Sequence, residues 1–273
     1  GMVCGRAQSA RASDDAHLAS MSHLEQEQHW LCHVASTPYD PSNPEHFDLL
    51  RELWVSSGLG PAGTFEPVSE LWLSIGFQGP DPSMDLRGAG ILGLRHLVHY
   101  FLSAHGAPRG CPIAGASLNV TLLLCRHFRL QLSYGDLPLC SNRVQYELVR
   151  LAHAHRLQGI PCILDLLHAA LLRALADRWH EIECTPLHFP ALLRESGAHL
   201  QHALTELEGP WNTASVLCAL VAKTRGCAPD AACYSCPRLS ALGCMGWVAP
   251  SHGMARYGAM ARGLCELASA GHA

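Results

Sequence analysis

The chain has 273 residues, nearly half of them apolar (48%) and only 15% charged, with a net charge of −4. This composition suits a well-filled core and argues against disorder. The weak acidic balance excludes the basic face a nucleic-acid partner needs, and no polybasic cluster marks a site for anionic lipid.

The 13 cysteines run from Cys4 to Cys265, and most lie in apolar helical patterns, as Cys125 and Cys162 do. There they read as small buried hydrophobes. Disulfide frameworks belong to small secreted domains, and no secretory signal is read here, so a reducing, cytoplasmic setting is expected. The best candidate for a membrane span, 111–125, is about 15 residues long and contains Ser117, Asn119 and Thr121. A span needs about 20 largely apolar residues, so no transmembrane segment is expected.

In chain order, residues 1–40 show scattered charge and little period, and read as a mobile leader with a short helix near 23–33. Asn43 can cap a helix with Pro44 in its first turn; Phe47, Leu50, Leu53 and Trp54 follow at helical spacing, and Gly58 and Gly60 end it. A short helix after Phe65 turns Leu71, Trp72 and Ile75 inward and closes at Gly76. Residues 76–90 are loop-like, and a helix over about 91–104 presents Leu92, Leu97, Val98 and Phe101. The segment 113–128 is apolar almost all round and is expected at the centre. Ser141 or Asn142 starts the next helix, with Val144, Leu148 and Leu151 inward. Pro161 opens a longer one carrying Leu164, Leu167, Leu171 and Leu175 on one stripe, and Pro190 opens another to about residue 207. No stretch alternates with period two, so the expected fold is all-α. A single multi-helix domain spans 41–209, and residues 210–273 form a Cys-containing helical or irregular extension. In that extension the spacing Cys233-x-x-Cys236, with Cys227 and Cys244 nearby, matches metal ligands only loosely; no second close pair completes a zinc set. His153 and His155 point to different helix faces, and Ser117, His96 and the nearby acids suggest no nucleophile arrangement.

The informative segment is 72–100. Pro80 and Pro82 restrict the backbone while Gly76, Gly79, Gly88 and Gly90 permit unusual or crowded geometry. Asp81 and Asp85 can accept loop amides or cap the next helix. Such a loop can hold Arg87 in one place, and two readings are open: an ion-pair strut to Asp81 or Asp85, or a guanidinium free for a partner. Gln78 can bond loop amides or touch a partner. Phe77 and Trp72 read as core, though a partly exposed Phe77 would serve as an anchor.

Trp72, Ile75, Gly76, Phe77, Gln78, Asp81, Pro82, Asp85, Arg87, Gly88, Gly90, Leu92 and Leu94 together resemble the signature of the ELMO domain. Similarity extends to Leu49 through Trp54, to Cys111 through Thr121 and to Asp177 through Pro190, covering about 45–207. Met84 stands where the family often has Thr, and Leu86 where it has Phe. The short ELMO-domain proteins activate Arf and Arf-like GTPases through an arginine at the position of Arg87. The long engulfment-type proteins lack it and serve as adaptors for an exchange factor. The resemblance therefore implies a GTPase-activating protein for an Arf-family GTPase, with Arg87 as its catalytic finger in trans. Gln78, Asp81, Asp85, Gly88 and Phe77 would then contact the GTPase or position the loop. The alternative is a non-catalytic scaffold binding a GTPase or an exchange factor. Hydrolysis develops negative charge on the phosphate oxygens, which a planar, always-charged fork can bridge; a finger is worth about 10³–10⁵ in rate, or roughly 4–7 kcal/mol. The GTPase would bring GTP and Mg²⁺, so no cofactor or metal of the chain's own is expected.

Overall fold

The computed structural model describes residues 22–103, 110–131, 141–209 and 211–224. Among them every regular element is helical. The α-helices are α1 (His23–Ser36), α2 (Pro44–Ser56), α3 (Gly90–Ser103), α4 (Ile113–His127), α5 (Asn142–Leu157), α6 (Ile163–Glu181), α7 (Phe189–Thr205) and α8 (Thr213–Thr224). Short 3-10 turns lie at Ala62–Thr64, Glu70–Ile75, Pro82–Met84 and Pro186–His188. The all-α reading holds, and no described helix is long and apolar enough to cross a membrane.

The helix starts follow capping chemistry. Asn43 accepts the Glu45 N–H at 2.9 Å with Pro44 in the first turn of α2, and Ser141 accepts the Val144 N–H at 3.3 Å at the start of α5. α6 begins just beyond Pro161, where Asp165 reaches back to accept the Cys162 N–H at 2.8 Å. Its predicted stripe of Leu164, Leu167, Leu171 and Leu175 is wholly buried. The expected central helix, α4, packs on α3, α6 and α7, but it shares the centre: α6 also touches α3, α5, α7 and α8. Cys111, Cys125 and Cys162 are buried thiols, and burial pushes Cys111 up to about 11 and Cys125 to about 12. They are packing groups, as their apolar neighbours suggested.

Two expected boundaries move. The mobile leader does not extend over 23–36, because Ser22 and Glu25 form a reciprocal capping box (2.8 and 3.3 Å) that starts α1. Leu31, Val34 and Ala35 then join the core, and α1 packs on α3 and α5. Likewise the packed unit does not stop at residue 209: Trp211, Val216, Leu220 and Ala222 are buried, and α8 lies on α6 and α7. Arg143 secures the intervening turn through the carbonyls of Leu207 (3.2 Å) and Gly209 (2.8 Å), and His155 meets Thr213 Oγ1. The loose metal-ligand spacing at Cys227, Cys233, Cys236 and Cys244 lies outside the described residues.

α1 also brings a charge inside. The Glu27 side chain is fully buried, with Oε2 2.8 Å from Arg156 Nε, and Arg156 lies 4.3 Å over the Trp30 ring. Burial raises the Glu27 pKa, and Arg156 opposes the rise. Neither Glu27 oxygen completes a well-aligned hydrogen bond, so the ion pair alone compensates the charge. Arg156→Ala should therefore cost roughly 2–4 kcal/mol in urea unfolding, somewhat below the range for a fully buried pair because Arg156 is half exposed. Glu27→Met should be neutral or stabilising, since it removes the buried charge and keeps its volume. A loss for Glu27→Met as large as for Arg156→Ala would contradict this account.

Candidate functional site

The loop between the Glu70–Ile75 turn and α3 carries Gly76, Phe77, Gln78, Asp81, Pro82, Asp85, Arg87 and Gly88 of the signature; Trp72 and Ile75 lie in the turn, and Gly90, Leu92 and Leu94 in α3. Its base is an aromatic ladder of edge-to-face contacts: Phe65 on Trp54 at 6.0 Å, Trp54 on Trp72 at 5.2 Å, and Trp72 on Phe77 at 5.6 Å. Trp72 Nε1 donates to the Glu66 carbonyl at 3.2 Å. Phe77 is 4% exposed, so it anchors the loop from below and is not a surface contact. Leu71 departs from the expected inner face: the segment is a 3-10 turn rather than an α-helix, and it turns Trp72 and Ile75 inward while leaving Leu71 and Leu73 exposed.

Gly76 ends that turn at φ +96°, where a Cβ would lie 2.5 Å from the Pro112 carbonyl carbon. Its own carbonyl accepts the Gly115 N–H at 3.1 Å, joining the loop to the start of α4. At the other end Gly90 has φ +59°, and a Cβ there would press to 2.7 Å on the Ala35 carbonyl oxygen. Ile91 N–H donates to the Thr37 carbonyl at 2.8 Å. By contrast, a Cβ on Gly88 would meet only Leu122, at 3.7 Å. The signature glycines thus divide in two. Gly76→Ala should destabilise by roughly 3 kcal/mol or more through backbone strain and overlap, while Gly88→Ala should stay within about 1 kcal/mol. Thermal unfolding of the two variants checks the contrast; equal losses would contradict it.

Both carboxylates are committed to the loop itself. Asp85 Oδ2 accepts the Gln78 N–H at 2.7 Å, closing the loop across seven residues, and Asp81 Oδ1 accepts the Ser83 N–H at 3.0 Å to start the Pro82–Met84 turn. Ser69 N–H donates to the Pro80 carbonyl at 2.8 Å. Leu86, where the family has a larger Phe, is fully buried and still plugs the loop into the core. Gln131, just beyond α4, donates to the carbonyls of Ala35 (2.6 Å) and Gly88 (3.2 Å). Gln131, Ala35 and Thr37 are not among the residues expected to frame the loop. The Ser22-x-x-Glu25 signature could have indicated an ordered α1, but nothing in the local sequence marks Gln131.

Arg87 is exposed at the tip of this frame, and none of the described ion pairs includes it. Its Nε donates to the Met84 carbonyl at 3.1 Å and Nη2 reaches Met84 Sδ at 3.1 Å. The rest of the donor fork has no partner among the described residues. The strut to Asp81 or Asp85 is not formed, and each acid instead holds a backbone amide. The Gln78 side chain is also exposed, beside exposed Val68, Leu71, Leu73 and Met84 along the same stretch.

A second polar cluster lies in the core, formed by residues far apart in the sequence. His96 stacks on His168 at 4.4 Å; His96 Nδ1 meets Thr121 Oγ1 and His168 Nε2 meets Ser117 Oγ, both at 2.9 Å. Burial lowers the pKa of His96 well below its usual value and that of His168 to about 3. Ser117 and His168 are both fully buried and no partner orients His168 Nδ1, so the pair is a packing element rather than a nucleophile. Asn119, in the same helix, donates to the Gly115 carbonyl at 2.8 Å.

The helical fold agrees with the family comparison. The chain belongs to the ELMO/CED-12 family, whose model matches residues 31–193. The ELMO domain-containing protein C of Dictyostelium discoideum is 36% identical over 172 residues, 60% of this chain and 27% of that protein. The ELMO domain-containing protein 2 of Mus musculus is 40% identical over 84 residues, 30% of this chain and 28% of that protein. The ELMO domain-containing protein 1 of Mus musculus is 47% identical over 64 residues, 23% of this chain and 19% of that protein. The chain thus spans less than a third of the length of each of these relatives. No solved structure matches it.

Proposed function

We propose that this chain activates an Arf-family small GTPase, Arf or Arf-like, by supplying Arg87 in trans as an arginine finger. The observation that carries the reading is the combination of an exposed Arg87 guanidinium, in no ion pair among the described residues, with a loop pinned at both ends. A finger has to present its charge without a competing carboxylate and without a large ordering cost on engagement. Asp81 and Asp85 serve the finger indirectly, by holding the loop, and Gly76, Gly90 and Phe77 fix its frame. Gly88 accepts Gln131 through its backbone, and exposed Gln78 is free to touch the GTPase. The partner brings GTP and Mg²⁺, so the chain requires no cofactor of its own, and a cytoplasmic setting follows from such a partner.

Single-turnover GTP hydrolysis by a panel of Arf and Arf-like GTPases, with and without the chain, tests the reading. Acceleration by the wild type and its loss in Arg87→Ala support it. Equal acceleration by both proteins rules out the finger. If neither accelerates hydrolysis but both bind a GTPase or an exchange factor, the chain is a scaffold.

A further inference from the structure

Arg87 is tethered by a residue with chemistry of its own. Met84 is 55% exposed, and its Sδ lies 3.1 Å from Arg87 Nη2 while its carbonyl holds Arg87 Nε at the same distance. Both residues stand on one frame: the Asp85 carboxylate closes the loop, and the Leu86 N–H donates to the Pro82 carbonyl at 3.1 Å. A thioether is a weak acceptor, so this tether is readily broken when a stronger anionic acceptor is presented. A sulfoxide is different, since its oxygen is polar and accepts strongly from a guanidinium.

We propose that Met84 is an oxidation site that controls Arg87, a role that rests on Arg87 being the finger. A peroxide is the oxidant. The sulfur lone pair attacks one peroxide oxygen, the S–O bond forms as the O–O bond breaks, and the remaining oxygen leaves as water after taking up a proton. Sulfur is oxidised by two electrons and the peroxide is reduced. The new S=O group stands beside Arg87 Nη2 and, with the Met84 carbonyl, holds the guanidinium folded on the loop. A methionine sulfoxide reductase reverses the change. A threonine at this position, as in the resembling signature, has no thioether to oxidise, so the device belongs to this chain's own residue.

The test treats the full chain with hydrogen peroxide and reads Met84 oxidation by mass spectrometry in the tryptic peptide ending at Arg87, whose one methionine is Met84. GTPase acceleration should fall about tenfold or more, the size set by one charge-assisted hydrogen bond that must break before the finger extends, and reductase treatment should restore it. Met84→Leu should keep its activity under peroxide, and Met84→Gln, with a permanent amide acceptor, should behave as the oxidised protein. The Arg87 Nε–Hε resonance, assigned by its loss in Arg87→Lys, should shift and exchange more slowly after oxidation. If Met84 is oxidised and this resonance does not move, or if Met84→Leu loses activity as the wild type does, the proposal is overturned. If the untreated chain does not accelerate hydrolysis, the proposed function fails instead, while the resonance still decides whether the sulfoxide holds Arg87.

Discussion

Arg87→Ala is expected to remove the GTPase acceleration almost completely, by about 10³–10⁵-fold, while leaving folding stability within about 0.5 kcal/mol. The two halves of this expectation have separate causes. The rate loss follows from removing a charge that meets the developing negative charge only in the transition state. The unchanged stability follows from geometry: Arg87 is exposed and, among the described residues, bonds only to Met84 on its own loop, while the bonds that frame the loop belong to Asp81, Asp85, Ser69 and Gln131. Arg87→Lys should recover little, because an ammonium keeps the charge but not the fork. A strut would behave in the opposite way, with Arg87→Ala lowering the unfolding midpoint in urea. Urea midpoints and single-turnover rates on the same preparations separate the two.

Acidification from pH 7 to pH 5 is expected to cost the fold roughly 4 kcal/mol or more, a large part of the 5–15 kcal/mol typical of a domain. The cause is histidine burial. Desolvation lowers His168 to about 3, against the raising effect of its bond with Ser117, and lowers His127 to about 4. His96, His99 and His155 are lowered as well, with burial the largest cause in each. The sign follows from linkage. Above about pH 6.5 these groups are neutral in folded and unfolded chains alike. As pH falls below that value the unfolded chain takes up protons that the folded core refuses, and stability drops until the folded-state pKa is reached. His168 and His127 alone contribute about 2 kcal/mol each by pH 5. Glu27 has the opposite sign, since burial raises its pKa and protonation relieves a buried charge as pH falls through that raised value. Urea unfolding at pH 7 and pH 5 measures the loss, and His168→Asn should shrink it by about 2 kcal/mol. A flat profile between those pH values would contradict the buried-neutral assignment.

Much of this architecture is legible in the sequence, for a physical reason. Leu164, Leu167, Leu171 and Leu175 recur at the helical period, and Asn43-Pro44 and Ser141 are capping chemistry that acts locally, so the elements they predict are the ones that form. The loop was equally legible, because its prolines, glycines and acids restrict the backbone over a short range. What was hidden depends on how helices turn toward one another. His96, Ser117, Thr121 and His168 come from three helices and meet only through packing. The Asp85 carboxylate could have faced Arg87 or the Gln78 amide, and spacing does not choose between them. α1 looked loose because its apolar face is narrow and it buries Glu27 beside Leu31, Val34 and Ala35; the capping box at Ser22 was the available signal. The Gly209-Pro210 pair suggests a break ahead of Trp211 and α8, and sequence spacing does not show that both pack on the helices before it.

The most direct test of the central claim is complex formation with the candidate GTPase loaded with GDP and aluminium fluoride, which imitates the phosphoryl group in flight. Measured by size-exclusion chromatography or calorimetry, the wild-type chain should bind this form far more tightly than the GDP form, and Arg87→Ala should lose that preference. A preference that persists unchanged in Arg87→Ala would show that Arg87 does not meet the transition state, and the finger would have to be abandoned.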